Sequence, residues 1–505
     1  MRTGISILGW MALTLLLPPG LRAQAVKLTA GDASERAFFG SAVALSGDHL
    51  VVGAPGGEAD TGAAYVFFND PAEGWTPQAK LTADIPATGD AFGFSVDIDG
   101  AFLVVGAPGD NDGGSDAGAA YVFVKDSAGG WTRQAKLTAN DAALEDRLGY
   151  GVALSGIVVI AGAPGHDDGA FDTGAAYAFT FDGQTWQQQD KFSAFSADEG
   201  DCFGEAVALD DDTALIGAPN ADEPRGRDTG LAFVFVRSGP TWLERATLTA
   251  SNAASDRHFG ATVALGTEPL RDVPFALVGA PGAGGSSAGS AYVFADREMV
   301  WTQVAQLAPD VVVAGSHFGT SVALNGDEAV IGAEDADAGT PHPGAVHLFS
   351  EDAFNDWPRQ ATLRAPGAEI FGKAVALSDA YLVVGAPAEA RAAEGEGAVY
   401  VYDRSSLNTA LVTPPERPSS LPQSTHYPNP FRHATTIAFE VVAAVPVHLA
   451  IYDVLGREVA TLIDQRMEPG RHEVIWTAEE VSSGVYVYRL QIGTRIQTRR
   501  MLLIR

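Results

Sequence analysis

Seven copies of one pattern fill the middle of this chain, and self-similarity at a fixed period constrains a fold more than any local propensity. Val52-Gly53-Ala54-Pro55 recurs as Gly-Ala-Pro at Gly106, Gly162, Gly217, Gly279 and Gly385, with a degenerate copy at Gly332-Ala333-Glu334. The glycines are spaced by 53, 56, 55, 62, 53 and 53 residues. A Phe-Gly pair precedes each copy, at Phe39, Phe92, Phe203, Phe259, Phe318 and Phe371, with Leu148-Gly149 in the third. Each unit contains four short runs rich in β-branched and aromatic residues, separated by turn residues. In the second unit these are Gly93–Ile98, Phe102–Gly106, Ala119–Val124 and Trp131–Leu137. Runs such as Leu103-Val104-Val105 are apolar on both faces, as in a sheet covered on both sides. Four-stranded sheets packed side by side and closed into a ring meet that demand, which is a β-propeller.

The ends of the pattern predict how the ring closes. Six units start their outer strand with Trp75, Trp131, Trp186, Trp242, Trp301 or Trp357, whereas the seventh stops at Asp403. The segment Ala25-Val26-Lys27-Leu28-Thr29-Ala30 matches the end of that strand elsewhere, as in Ala135–Ala139. The expectation is a seven-bladed all-β propeller whose last blade takes its fourth strand from the start of residues 25–403, leaving no open edge. The Gly of Gly-Ala-Pro is expected to let another backbone approach closely, the Phe to fill space between blades, and the Trp to cover the outer strand.

The flanks differ in kind. Residues 1–24 carry Arg2, an apolar run from Ile5 to Leu17 and small residues around Ala23, and are expected to be a signal peptide. No later run is long and apolar enough for a transmembrane segment. Residues 404–425, with Pro414, Pro415, Pro418 and Pro422 among serines, are expected to be an extended linker. From residue 426 to 505 six strand-like runs predict a small Ig-like β-sandwich. That segment has nine Arg against eight Asp or Glu, so the formal charge of −31 belongs to the repeats. The acidity argues against nucleic acid as a partner, and the single Cys202 excludes an intramolecular disulfide.

The Phe-Gly and Gly-Ala-Pro motifs resemble the FG-GAP repeat from Phe39 to Asp403, together with Ala25–Ala30. The resemblance implies a seven-bladed propeller, as in integrin α-chains and many secreted bacterial proteins, and implies binding or adhesion more than catalysis. The C-terminal 80 residues resemble the type A sorting domain of the bacterial type IX secretion system. Tyr427-Pro428-Asn429-Pro430-Phe431 matches its opening motif, Tyr452 to Val459, with Gly456-Arg457, its central hairpin, and Gly484-Val485-Tyr486 a later strand. Arg432-His433-Ala434 departs from the usual Asn-Pro-Ser. This resemblance implies contact with the type IX machinery and passage through the periplasm to the outer surface or medium.

FG-GAP repeats of the integrin type often bind calcium through Asp-x-Asp-x-Asp-Gly, but here that place holds tight turns such as Ser46-Gly47-Asp48-His49. The loop after the second Gly-Ala-Pro offers Asp110, Asp112 and Asp116 as alternate oxygen ligands for calcium. Asp60, Asp116, Asp172 and Asp228 each lie two residues before the glycine opening the third strand, where an Asx-turn explains an aspartate without metal. No metalloprotease, nucleophile-elbow or phosphate-loop motif occurs, and no catalytic residue is assigned. The chain is expected to be a monomeric, non-catalytic, secreted or surface-attached module that binds an extracellular glycan or a surface protein. The competing expectation is a polysaccharide hydrolase or lyase with carboxylates at the propeller centre.

Overall fold

A computed structural model describes residues 25–504 except 33–34, 58–59, 195–197, 223–225, 269–272, 283–287, 298, 310–312, 314, 336–343, 353–355, 366, 390–394, 411–424, 428–430, 442–444, 454–456, 468–469, 479–480 and 493–494. The expected signal peptide, 1–24, lies outside them. Two compact units divide near Val412.

The first unit consists of seven four-stranded antiparallel sheets. Blade 2 shows the pattern: Val96–Asp99, Phe102–Ala107, Ala119–Lys125 and Trp131–Leu137, hydrogen-bonded in that order. Each inner strand neighbours the inner strand of the next blade, and that of blade 7, Val375–Leu377, neighbours that of blade 1, Ala42–Ser46. The ring is therefore closed. Its last sheet is completed by β1 (Ala25–Leu28), antiparallel to Ala398–Asp403 with Val26 opposite Val401.

The repeated glycines explain the ring. Within most blades the N–H of the Phe-Gly glycine donates to the carbonyl of the Gly-Ala-Pro glycine, as from Gly93 to Gly106 at 3.0 Å. Between blades, the Gly-Ala-Pro glycine lies against the next Phe-Gly carbonyl. A Cβ on Gly162 would stand 1.9 Å from the Gly204 oxygen, and one on Gly385 2.0 Å from that of Gly40. The same contact recurs at all seven junctions, so any side chain there would push two blades apart. The Phe or Leu beside it is buried in every blade. Seven apolar cores lie between successive blades. On the far face, inner hairpin turns are laced together: the Gly100 N–H donates to Ser46 Oγ at 3.1 Å and the Gly156 N–H to Asp99 Oδ2 at 2.7 Å.

Two expectations change. The tryptophans do more than cover their own strand: each packs into the core shared with the preceding blade, as Trp75 does edge-on against Tyr381 at 5.2 Å. And the stretch read as extended linker opens with a helix, α1 (Arg404–Ala410). Its Leu407 is buried in the core between blades 6 and 7, which is why the tether starts ordered.

The second unit is a two-sheet sandwich. Thr425–Tyr427, Ala434–Val441 and Gly470–Thr477 form one sheet, and Glu458–Met467, Val445–Asp453, Gly484–Ile492 and Arg495–Leu503 the other. Phe439, Leu449, Ile451, Trp476, Tyr488 and Leu490 fill the core.

Candidate functional site

In every blade the inner strand leaves the Phe-Gly turn and the second strand returns to Gly-Ala-Pro. Both motifs and the blade-to-blade loops therefore share one face. The residue after each Phe-Gly pair lies at the entry to an inner strand: Ser41, Phe94, Tyr150, Glu205, Ala261, Thr320 and Lys373. Three of these converge. The Phe94 and Tyr150 rings lie 4.7 Å apart at 50°. Tyr150 and Glu205 follow one another across blades 3 and 4, where a Cβ on Gly151 would stand 3.1 Å from the Glu205 carbonyl oxygen, and the Glu205 charge helps burial push the Tyr150 phenol up. Glu205 is half-buried, and burial alone pushes its carboxyl up to about 7.

Beside this trio, the Asn220 amide donates to Cys202 Sγ at 3.3 Å, and its Oδ1 faces His258 Nδ1 at 3.2 Å. Burial raises the Cys202 thiol to about 11, which makes it a poor nucleophile. Cys202 and His258 occupy the position just before Phe-Gly, where all seven residues, Ile370 included, have φ between 49° and 59°. That left-handed turn carries no sequence signal, since six residue types fill it. Further round the ring, Lys373 pairs with Glu334 at 2.9 Å. Glu334 is the residue that makes the sixth Gly-Ala-Pro copy degenerate.

A raised carboxyl also stands on an inner strand. Asp97 replaces the alanine found at Ala44, Ala153, Ala208, Ala264, Ala323 and Ala376. It accepts the Leu154 N–H at 2.7 Å and the Ile98 N–H at 2.8 Å, and burial pushes it up to about 7. It joins blades 2 and 3.

The residues read as calcium ligands meet a side-chain cation. Lys136 pairs with Asp110 at 2.7 Å and with Asp112, while the Tyr121 hydroxyl donates to Asp110 at 2.5 Å. Asp116 has φ 53° and its N–H donates to Asn111 Oδ1 at 3.0 Å. Asp172 and Asp228 repeat this with Asp167 and Asp222, so the turn acceptor lies five or six residues upstream of the recurrent aspartate. The Lys136 arrangement is itself repeated. Lys27, Lys80 and Lys191 stand opposite Tyr400, Tyr65 and Tyr177 in register, each ammonium 5.4–5.9 Å from the ring centroid and paired with a loop carboxylate. Among the described residues no group of three His, Cys, Asp or Glu side chains is placed to hold a metal ion. Lys136→Met leaves the buried Asp110 without its charge partner and is expected to cost about 2 kcal/mol. Lys80→Met, where both partners are about half exposed, should cost less than about 1 kcal/mol; chemical denaturation measures both.

The FG-GAP repeat profile matches residues 23–67, 75–123, 131–179, 186–235, 242–294, 301–349 and 357–402. The chain belongs to the FG-GAP repeat family. A secretion system C-terminal sorting domain matches residues 425–505, so this FG-GAP protein is exported by type IX secretion to the cell surface or extracellular space and engages that machinery. No curated protein matches the chain. Among solved structures, a fungal alcohol oxidase of the AA5 family in complex with copper is similar at 11% identity and TM-score 0.44, over 95% of this chain and 100% of that one.

The sorting residues have structural roles. Phe431 is buried, receives a bond from the Ile504 N–H and donates its own to Leu502, pinning the last strand. Arg457 closes its hairpin on Asp453 through Nε at 2.7 Å. Gly484 pairs with Leu503, and the buried Tyr486 donates to the Ser482 carbonyl at 2.8 Å. Tyr427 lies in the first short strand of the sandwich. Pro428, Asn429, Pro430 and Gly456 lie outside the described residues. Among the described residues no helix is long and apolar enough to cross a membrane.

Proposed function

We propose that this FG-GAP protein is a displayed, non-catalytic binding module that holds an extracellular glycan or a surface protein on its Phe-Gly face. The observation that carries this reading is the Phe94–Tyr150 pair beside the Glu205 carboxyl, which has no hydrogen-bonding side chain of its own among the described residues. An aromatic surface with one polar group to orient a ligand is how recognition sites are built, and the blade-to-blade loops vary around it on a fixed frame. A glycosidase needs two carboxyls across one bond. Glu205 is the only carboxyl among the seven residues that follow the Phe-Gly pairs, which favours binding over hydrolysis.

Arrays of glycans and of purified surface proteins test this with the exported protein. Retention should fall at least tenfold in Phe94→Ala and in Tyr150→Ala; equal retention by folded variants places the site elsewhere. Glu205 gives a separate pH signature. Because its folded pKa is raised above 4.5 to about 7, it opposes folding increasingly as pH rises through that window. Glu205→Gln should therefore raise the melting temperature at pH 8 and leave it unchanged at pH 4, read by calorimetry.

A further inference from the structure

Six of the seven inter-blade cores include the tryptophan that starts the later blade's outer strand. These indoles sit in a repeated seat. The residue four before the preceding blade's Gly-Ala-Pro glycine flanks the ring: His49 for Trp131, Phe102 for Trp186, Phe275 for Trp357 and Tyr381 for Trp75. In two seats a glutamine three residues after the preceding tryptophan accepts the indole N–H, Gln78 from Trp131 at 3.0 Å and Gln134 from Trp186 at 2.8 Å.

The seat between blades 6 and 7 has no indole, because β1 brings no tryptophan to blade 7. Helix α1 lies there instead, with Leu407 in the core and Arg404 paired to Glu328, the residue at the flanking position. The fit is incomplete. A cavity of about 110 Å³ remains, lined by apolar side chains such as Val330, Leu382 and Leu407 and also by the Glu328–Arg404 ion pair. Gln360, three residues after Trp357 and so the counterpart of Gln78 and Gln134, stands on its rim. Its amide donates to the Pro358 carbonyl at 3.2 Å, leaving the side-chain oxygen as the acceptor the seat uses elsewhere.

We propose that this cavity binds a free small molecule of the indole class, a flat aromatic ring bearing one N–H donor. The apolar walls take the ring and Gln360 accepts the N–H. The volume is below the roughly 150 Å³ at which an apolar cavity holds benzene, so an indole would enter by one edge and leave the rest of its ring at the open mouth. The indoles of Trp131 and Trp186 are themselves only half-buried, so the seat need not enclose the whole ring.

Calorimetric titration of the full chain with indole and N-methylindole tests this. Indole should bind saturably at one site per chain, and N-methylindole roughly fivefold more weakly, the worth of one neutral hydrogen bond. Gln360→Leu, on an exposed position, should remove that preference. Leu407→Trp, or Leu407→Phe where the larger ring prevents folding, should fill the seat and abolish binding. Absence of saturable indole binding to the unaltered chain, or binding that filling the seat leaves unchanged, overturns the proposal.

Discussion

Gly385→Ala is expected to destabilise the propeller by about 3 kcal/mol or more and to lower its melting temperature by roughly 5 °C. The added methyl would stand 2.0 Å from the Gly40 carbonyl oxygen, where blade 7 meets blade 1. Nothing flexible can yield, because both partners are backbone at the end of a paired strand. The only relief is to move two blades apart, which opens the core holding Phe39, Val52 and Val399. Gly31→Ala is the matched control in the same unit: a Cβ there meets nothing within 4 Å, and the change should stay within about 0.5 kcal/mol. Equal melting of the two variants would mean that blades 7 and 1 do not touch and that the ring is open.

Removal of residues 425–505 is expected to cut surface and extracellular protein at least tenfold and to leave a folded propeller in the periplasm. That segment is the whole sorting domain, a sandwich with its own core. The cut must spare α1, because Leu407 belongs to the propeller core. Truncation after Val412 should therefore preserve the melting transition of the ring, whereas truncation after Asp403 should lower it. Fractionation and protease accessibility of intact cells measure the first effect. Normal display of the truncated chain would remove the sorting assignment.

What could be read from the residues alone follows a physical rule. A repeat reports what every blade must share. Thus the Gly-Gly junctions, the buried Phe and the strand at Ala25–Leu28 were legible from spacing and composition, and register confirms the closing strand residue by residue. A ligand site is made by what the blades do not share. The position after Phe-Gly is Ser, Phe, Tyr, Glu, Ala, Thr and Lys in turn, so no periodic signal marks Phe94, Tyr150 or Glu205. The spacing of Asp110 and Asp112 was visible, while Lys136, 24 residues beyond Asp112 on the outer strand, was not visibly their partner. The left-handed residues before each Phe are set by the turn and not by side-chain type. Helix α1 was hidden because a Ser-rich stretch reads as tether until Leu407 has a core to enter.

The chemical fate of a bound ligand tests the functional account most directly. The exported protein, incubated with the glycans or surface proteins it retains, should return them at unchanged mass after many binding cycles. New reducing ends, unsaturated sugars or shortened chains that accumulate with time would show turnover, and would contradict the reading of the Phe-Gly face as a binding site.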